Sequence, residues 1–166
     1  MAALLKTPVD TGSNPVGAIM WRDELLQDIK GLSGVPIFIA VVLISFFAGE
    51  KSLALQLVAG LVLAYAVTVI LRIAFFSQRP DKQKFTNFVE KLDASSFPSL
   101  HSMRAAVLAT VLSLHFDNSL LTAFFALTAI AIAVARVLQK RHFARDVIAG
   151  LVLGVIVGFL VVRFIS

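Results

Sequence analysis

Residues 52–71 read SLALQLVAGLVLAYAVTVIL, a run with no charged side chain that ends directly before Arg72. As a helix it measures about 30 Å, the thickness of a bilayer's hydrocarbon core. Four further charge-free windows follow the same logic, at 31–49, 105–116, 118–135 and 147–162. A charge in hydrocarbon costs several kcal/mol, so such windows mark membrane spans more reliably than helix propensity does. The composition agrees: 58% of the 166 residues are hydrophobic and 15% charged, against roughly 45–50% and 25% in soluble domains. Mean hydropathy is +0.90. A water-soluble domain and a disordered chain are both excluded. The absence of cysteine excludes a disulfide scaffold and a thiolate metal site.

The fold expected is all-α: an integral membrane bundle of about five transmembrane helices with amphipathic interfacial helices. The spans are placed at about 33–49, 53–76, 100–116, 119–138 and 144–165. Glu50-Lys51 is too short a link for anything but an antiparallel hairpin between the first two. Residues 1–17 are read as a loose tail preceding a single membrane domain over 18–166. Met1 to Leu5 is too short an apolar stretch for a signal peptide. Within 19–32, Trp21, Leu25, Ile29 and Leu32 interleave with charged residues, the pattern of a helix lying in the interface. Within 82–93, Phe85, Phe88, Val89 and Leu92 fall at i, i+3, i+4 and i+7, which predicts a short surface helix able to act as a lid.

Counting spans places three polar groups on one membrane face. Arg72 and Arg79-Pro80 lie at the end of the second span, Ser95 to Ser102 opens the third, Arg136 ends the fourth, and His142 and Asp146 begin the fifth. Two guanidiniums seven residues apart suit an anion with several oxygens; taken singly, each arginine is explained equally well by snorkelling to headgroups. In Ser95-Ser96-Phe97-Pro98-Ser99-Leu100-His101-Ser102 the serines and proline signal a helix start, whose N–H groups and dipole favour phosphate beside His101. Capping serines and an interfacial histidine form the plainer alternative. Arg104, one turn on, adds charge or snorkels. His142 and Asp146 are four apart, so the carboxylate can accept the imidazole N–H and leave the other nitrogen as nucleophile or base; a purely structural pair is the competing explanation. Gly150, Gly154 and Gly158 form a small-residue stripe read as helix packing. His115 lies at the opposite face and is read as interfacial.

Taken jointly, Arg72-x6-Arg79-Pro80, Pro98-Ser99-Leu100-His101 and Arg136-x5-His142-x3-Asp146 resemble the three-part signature of the type 2 phosphatidic acid phosphatase superfamily. That signature reads lysine-x6-Arg-Pro, Pro-Ser-Gly-His and Ser-Arg-x5-His-x3-Asp. Order and spacing match over 72–146. Three positions depart: Arg72 stands for lysine, Leu100 for glycine and Ala135 for serine.

The resemblance implies a phosphatase acting through a phosphohistidine, with no metal and no other cofactor. His142 is then the nucleophile, Asp146 orients it, and His101 protonates the leaving oxygen and later activates water. Arg72, Arg79, Arg136, Ser99 and the backbone at Leu100 hold the phosphoryl oxygens. The implied partners are membrane lipids and a lipid phosphate or diphosphate, not nucleic acid. A small bundle with little outside the membrane suits a polyprenyl diphosphate slightly better than a phosphatidic-acid-like lipid. Two alternatives are a phosphotransferase on the same site and a catalytically silent binder of anionic lipid. Of the 15 Lys and Arg residues, Lys51 and Arg163 alone fall on the far side, leaving thirteen on the motif side. By the positive-inside rule the site faces the cytoplasm. The setting expected is the plasma membrane of a prokaryote, with a multi-pass chain.

Overall fold

The computed structural model describes residue 31, residues 34–80 and residues 86–165. The expected tail over 1–17 lies outside them, as does the interfacial segment 19–32 but for Gly31. Six helices are described: α1 (Val35–Phe47), α2 (Lys51–Ala74), α3 (Phe88–Ala94), α4 (Leu100–Phe116), α5 (Ser119–Leu138) and α6 (Ala144–Phe164). There is no strand among the described residues, only one isolated bridge between Gln78 and Ser95.

Local chemistry sets most boundaries. Pro36 opens α1, where its missing N–H costs nothing. Gly49 closes it at φ +91°, a left-handed conformation that a Cβ would strain, and the chain turns at once into α2. Ser99 caps α4, its hydroxyl oxygen accepting from the Ser102 N–H. Asn118 caps α5 by accepting from the N–H groups of Leu120 and Leu121. At α6 the Asp146 carboxylate reaches back to the Phe143 N–H at 2.9 Å.

Among the described residues three helices are long and apolar enough to cross a membrane: α2 with 24 residues, α5 with 20 and α6 with 21. α4, with 17 residues, covers about 25 Å and begins where the third span was expected. α1 is shorter than expected: its 13 residues cover about 20 Å, because proline and glycine confine the helix to the middle of the apolar window. Within the described part of the expected surface helix lies α3, seven residues over Phe88–Ala94, capped by Asn87. Phe88 and Val89 are exposed there, while Phe85 lies outside the described residues.

α4 is the hub and packs against α2, α5 and α6. Met103, Val107 and Val111 of α4 meet Leu57 of α2 in the fully buried core. Outward-facing Ile70, Leu120, Leu127, Ile148 and Phe164 are exposed, a distribution suited to lipid rather than water. The glycine stripe of α6 lies directly on α4. A methyl at Gly150 would sit 2.5 Å from the Ser99 carbonyl oxygen, and one at Gly158 would sit 2.6 Å from Thr110 Cβ. Absent Cβ atoms thus set the closeness of the two helices that carry the site.

Candidate active site

The loop between α2 and α4 doubles back, so residues on either side of it meet. The Ser96 N–H donates to the Ser77 carbonyl at 2.6 Å, and the two hydroxyls are 3.1 Å apart. Arg145, at the start of α6, donates to the Ser77 hydroxyl at 3.2 Å. The loop continues through a cis Phe97–Pro98 bond into α4. The Ser99 N–H donates to the Asp146 carbonyl at 3.0 Å, tying the start of α4 to the first turn of α6.

His142 lies between these segments, 2% exposed. Its Nδ1 is 2.8 Å from the Ser96 carbonyl oxygen. A carbonyl only accepts, so Nδ1 carries the hydrogen and Nε2 keeps the lone pair. The sequence expectation assigned this bond to Asp146. Asp146 Oδ2 is instead 4.0 Å from Nδ1, too far for a hydrogen bond, because that oxygen accepts the Phe143 N–H. The other oxygen, Oδ1, is buried without a hydrogen bond and lies 3.5 Å from Arg145 Nε. Ser96 and Ser77 were missed as positioning residues; the serine run before Pro98 was the only signal, and it spoke of a helix start.

Burial pushes the His142 pKa down from 6.5 to about 3; the bond to Ser96 opposes this and the charges of Arg79, Arg136 and Arg72 add to it. The ring is therefore neutral at neutral pH, the form in which imidazole is a nucleophile.

The expected arginines surround it with positive charge. Arg72 is 8% exposed and donates to the carbonyls of Leu92 at 3.0 Å and Pro98 at 3.4 Å. Part of its fork thus holds the loop in place, a role the sequence did not suggest. Arg79 lies 3.6 Å from Asp93. Arg136 is 5% exposed and donates to the Gln139 side chain at 3.0 Å. The Nε groups of Arg72 and Arg136 are buried with no hydrogen-bond partner among the described residues. Such donors are costly to bury unsatisfied and suit a multi-oxygen anion.

Ser99 is fully buried at the cap of α4, its hydroxyl 3.0 Å from that of Ser102. Leu100 and His101 are the first two residues of that helix, both half-buried. Ala135 is buried against the bundle at the position of the missing serine. His115 sits at the opposite end of α4, edge-on to Phe116. No group of three or more His, Cys, Asp or Glu suited to a metal occurs among the described residues.

A helical membrane bundle that gathers a neutral histidine and buried arginines at the ends of its spans has the form of a membrane phosphatase. The chain belongs to the PAP2 superfamily, whose family model matches residues 53–166, and is by class a phosphoric ester hydrolase. In fold it is similar to the crystal structure of a transmembrane PAP2-type phosphatidylglycerolphosphate phosphatase from Bacillus subtilis. That match has a TM-score of 0.73 and 24% identity, over 87% of this chain and 76% of the other. It is also similar to LpxE of Aquifex aeolicus, with a TM-score of 0.71 and 20% identity, over 93% of this chain and 90% of the other. At these identities the likeness establishes the fold. No curated protein matches the chain in sequence.

Proposed function

We propose that the protein hydrolyses a lipid phosphate or diphosphate through a phosphohistidine on His142. The observation that carries this reading is the 2.8 Å bond from Nδ1–H to the Ser96 carbonyl, which leaves Nε2 of a neutral, buried ring as the nucleophile.

In the first step Nε2 attacks phosphorus and the bond from phosphorus to the lipid oxygen breaks. His101 donates the proton that the leaving oxygen takes up. Bond formation at Nε2 makes the imidazole cationic, and the Asp146 carboxylate 4.0 Å from Nδ1 stabilises that charge. In the second step His101 accepts a proton from water, which attacks phosphorus, breaks the P–N bond and releases inorganic phosphate. Arg79, Arg136 and the part of Arg72 not engaged by the loop, with Ser99 and the backbone at Leu100, carry the negative charge on the phosphoryl oxygens.

The site lies at the ends of spans, where a lipid presents its phosphate, and the apolar surface of the bundle reaches up to it. A polyprenyl diphosphate or a phosphatidic-acid-like lipid meets that requirement. We place the site on the cytoplasmic face of a prokaryotic plasma membrane, on the strength of the basic residues gathered at that end.

The test uses purified protein in detergent with lipid phosphate and diphosphate substrates. His142→Ala is expected to abolish phosphate release, and His101→Ala to lower it by roughly 10²- to 10⁴-fold. Undiminished turnover in a monodisperse His142→Ala protein would refute the mechanism.

A further inference from the structure

One buried charge near the site is not used by the chemistry above. Arg104, on α4, is 4% exposed. Its Nη1 donates to the Tyr65 hydroxyl at 2.9 Å, and the guanidinium carbon lies 5.8 Å from the centre of that ring. Its Nε is buried with no hydrogen-bond partner, and no carboxylate pairs with it among the described residues. An ionised side chain at this depth is expensive to keep, and a buried Nε donor with no partner among the described residues suits an anionic ligand.

The position of Arg104 says which anion. It lies four residues beyond Leu100, about 6 Å deeper along α4 than the start of the helix, and within Coulombic reach of Arg136. Directly beside it begins an apolar cleft between α1, α4 and α5, lined by Phe38, Leu108, Phe125 and Ile132. A cation placed between a phosphoryl site and an apolar wall sits where the inner phosphate of a lipid diphosphate would lie, its outer phosphate at His142 and its hydrocarbon in the cleft.

Building on the phosphatase reading, we propose that Arg104, aimed by Tyr65, binds the phosphate that stays on the lipid and makes the enzyme selective for lipid diphosphates over monophosphates. When Nε2 of His142 bonds to the outer phosphorus, the bridging P–O bond breaks and its electron pair passes to the oxygen of the departing lipid monophosphate. Arg104 lies against that growing charge. A monophosphate substrate offers no group at this position and gains nothing from it.

The test compares farnesyl diphosphate with farnesyl monophosphate in detergent, read as the ratio of their kcat/KM values. The wild type is expected to favour the diphosphate, and Arg104→Gln to reduce the ratio roughly ten- to a hundredfold, the worth of one hydrogen bond to a charged group. Tyr65→Phe, which keeps the guanidinium but releases it, is expected to lower the ratio several-fold and serves if Arg104→Gln does not fold. Equal losses on both substrates, or an unchanged ratio, would overturn the proposal. Binding of a non-cleavable farnesyl methylenediphosphonate against farnesyl phosphonate separates this from the hydrolytic reading. A preference for the diphosphonate that Arg104→Gln removes supports the subsite even if neither phosphate ester is turned over, and no such preference refutes it.

Discussion

Adding one methyl group at Gly150 tests whether the contact between α4 and α6 sets the catalytic geometry. The new Cβ would lie 2.5 Å from the Ser99 carbonyl oxygen, 3.2 Å from Ser102 Cβ and 3.3 Å from the Met103 nitrogen. An unstrained carbon–oxygen contact needs about 3.3 Å, so the start of α4 must retreat by about 0.8 Å. One turn away, the Ser99 N–H bond to the Asp146 carbonyl would stretch with it. Overpacking of this kind costs about 1–3 kcal/mol, while replacing a mid-helix glycine by alanine returns about 1 kcal/mol. The net loss of stability is therefore modest. The loss of rate is larger, since a misplacement near 1 Å at a reacting centre costs about 10²-fold. Gly158→Ala is the control: its methyl would crowd Thr110 Cβ at 2.6 Å, yet eight residues, about 12 Å, further from the site. We expect similar melting temperatures in detergent for the two variants, with kcat reduced tenfold to a hundredfold in Gly150→Ala and by less than threefold in Gly158→Ala. Equal rates for the two would refute the argument.

His142 should also leave a mark on acid stability. Its pKa falls from 6.5 unfolded to about 3 folded, so between those values the unfolded chain takes up a proton that the native protein refuses. Stability is full above about pH 6.5 and is lost as pH drops towards 3; His142→Gln should flatten that slope in melting temperatures, and an unchanged slope would count against the assignment. Orientation can be read with a single introduced cysteine, because the chain has none of its own. Lys91→Cys, on exposed α3, should react with a membrane-impermeant maleimide only after the cells are opened, and labelling of intact cells would put the site outside.

The spans were legible because hydrocarbon tolerates so few charges. Arg72, Arg136 and Asp146 end the charge-free windows, and the helices α4 and α5 begin and end where 100–116 and 119–138 were expected. Asp117, at φ 44°, and the capping Asn118 confine the turn between them to two residues. Less legible was anything decided by the path of the loop between α2 and α4. Ser96 and His142 are 46 positions apart, and no periodicity relates them. The spacing of four between His142 and Asp146 suggested a helical pair, yet His142 precedes α6 and its ring turns away towards the loop. Arg72 was read for its charge alone, while its contacts to Leu92 and Pro98 depend on carbonyls whose identity a sequence does not display.

That His142 is held by a main-chain oxygen changes what mutagenesis can see. Replacing Ser96 by alanine removes the hydroxyl bonded to Ser77 but leaves the carbonyl in place, so an alanine scan would not touch the bond to His142. The tautomer of the proposed nucleophile is carried by the course of the backbone, and a change that shifts that course, such as a proline at 96 that deletes the N–H donated to Ser77, would reveal the dependence.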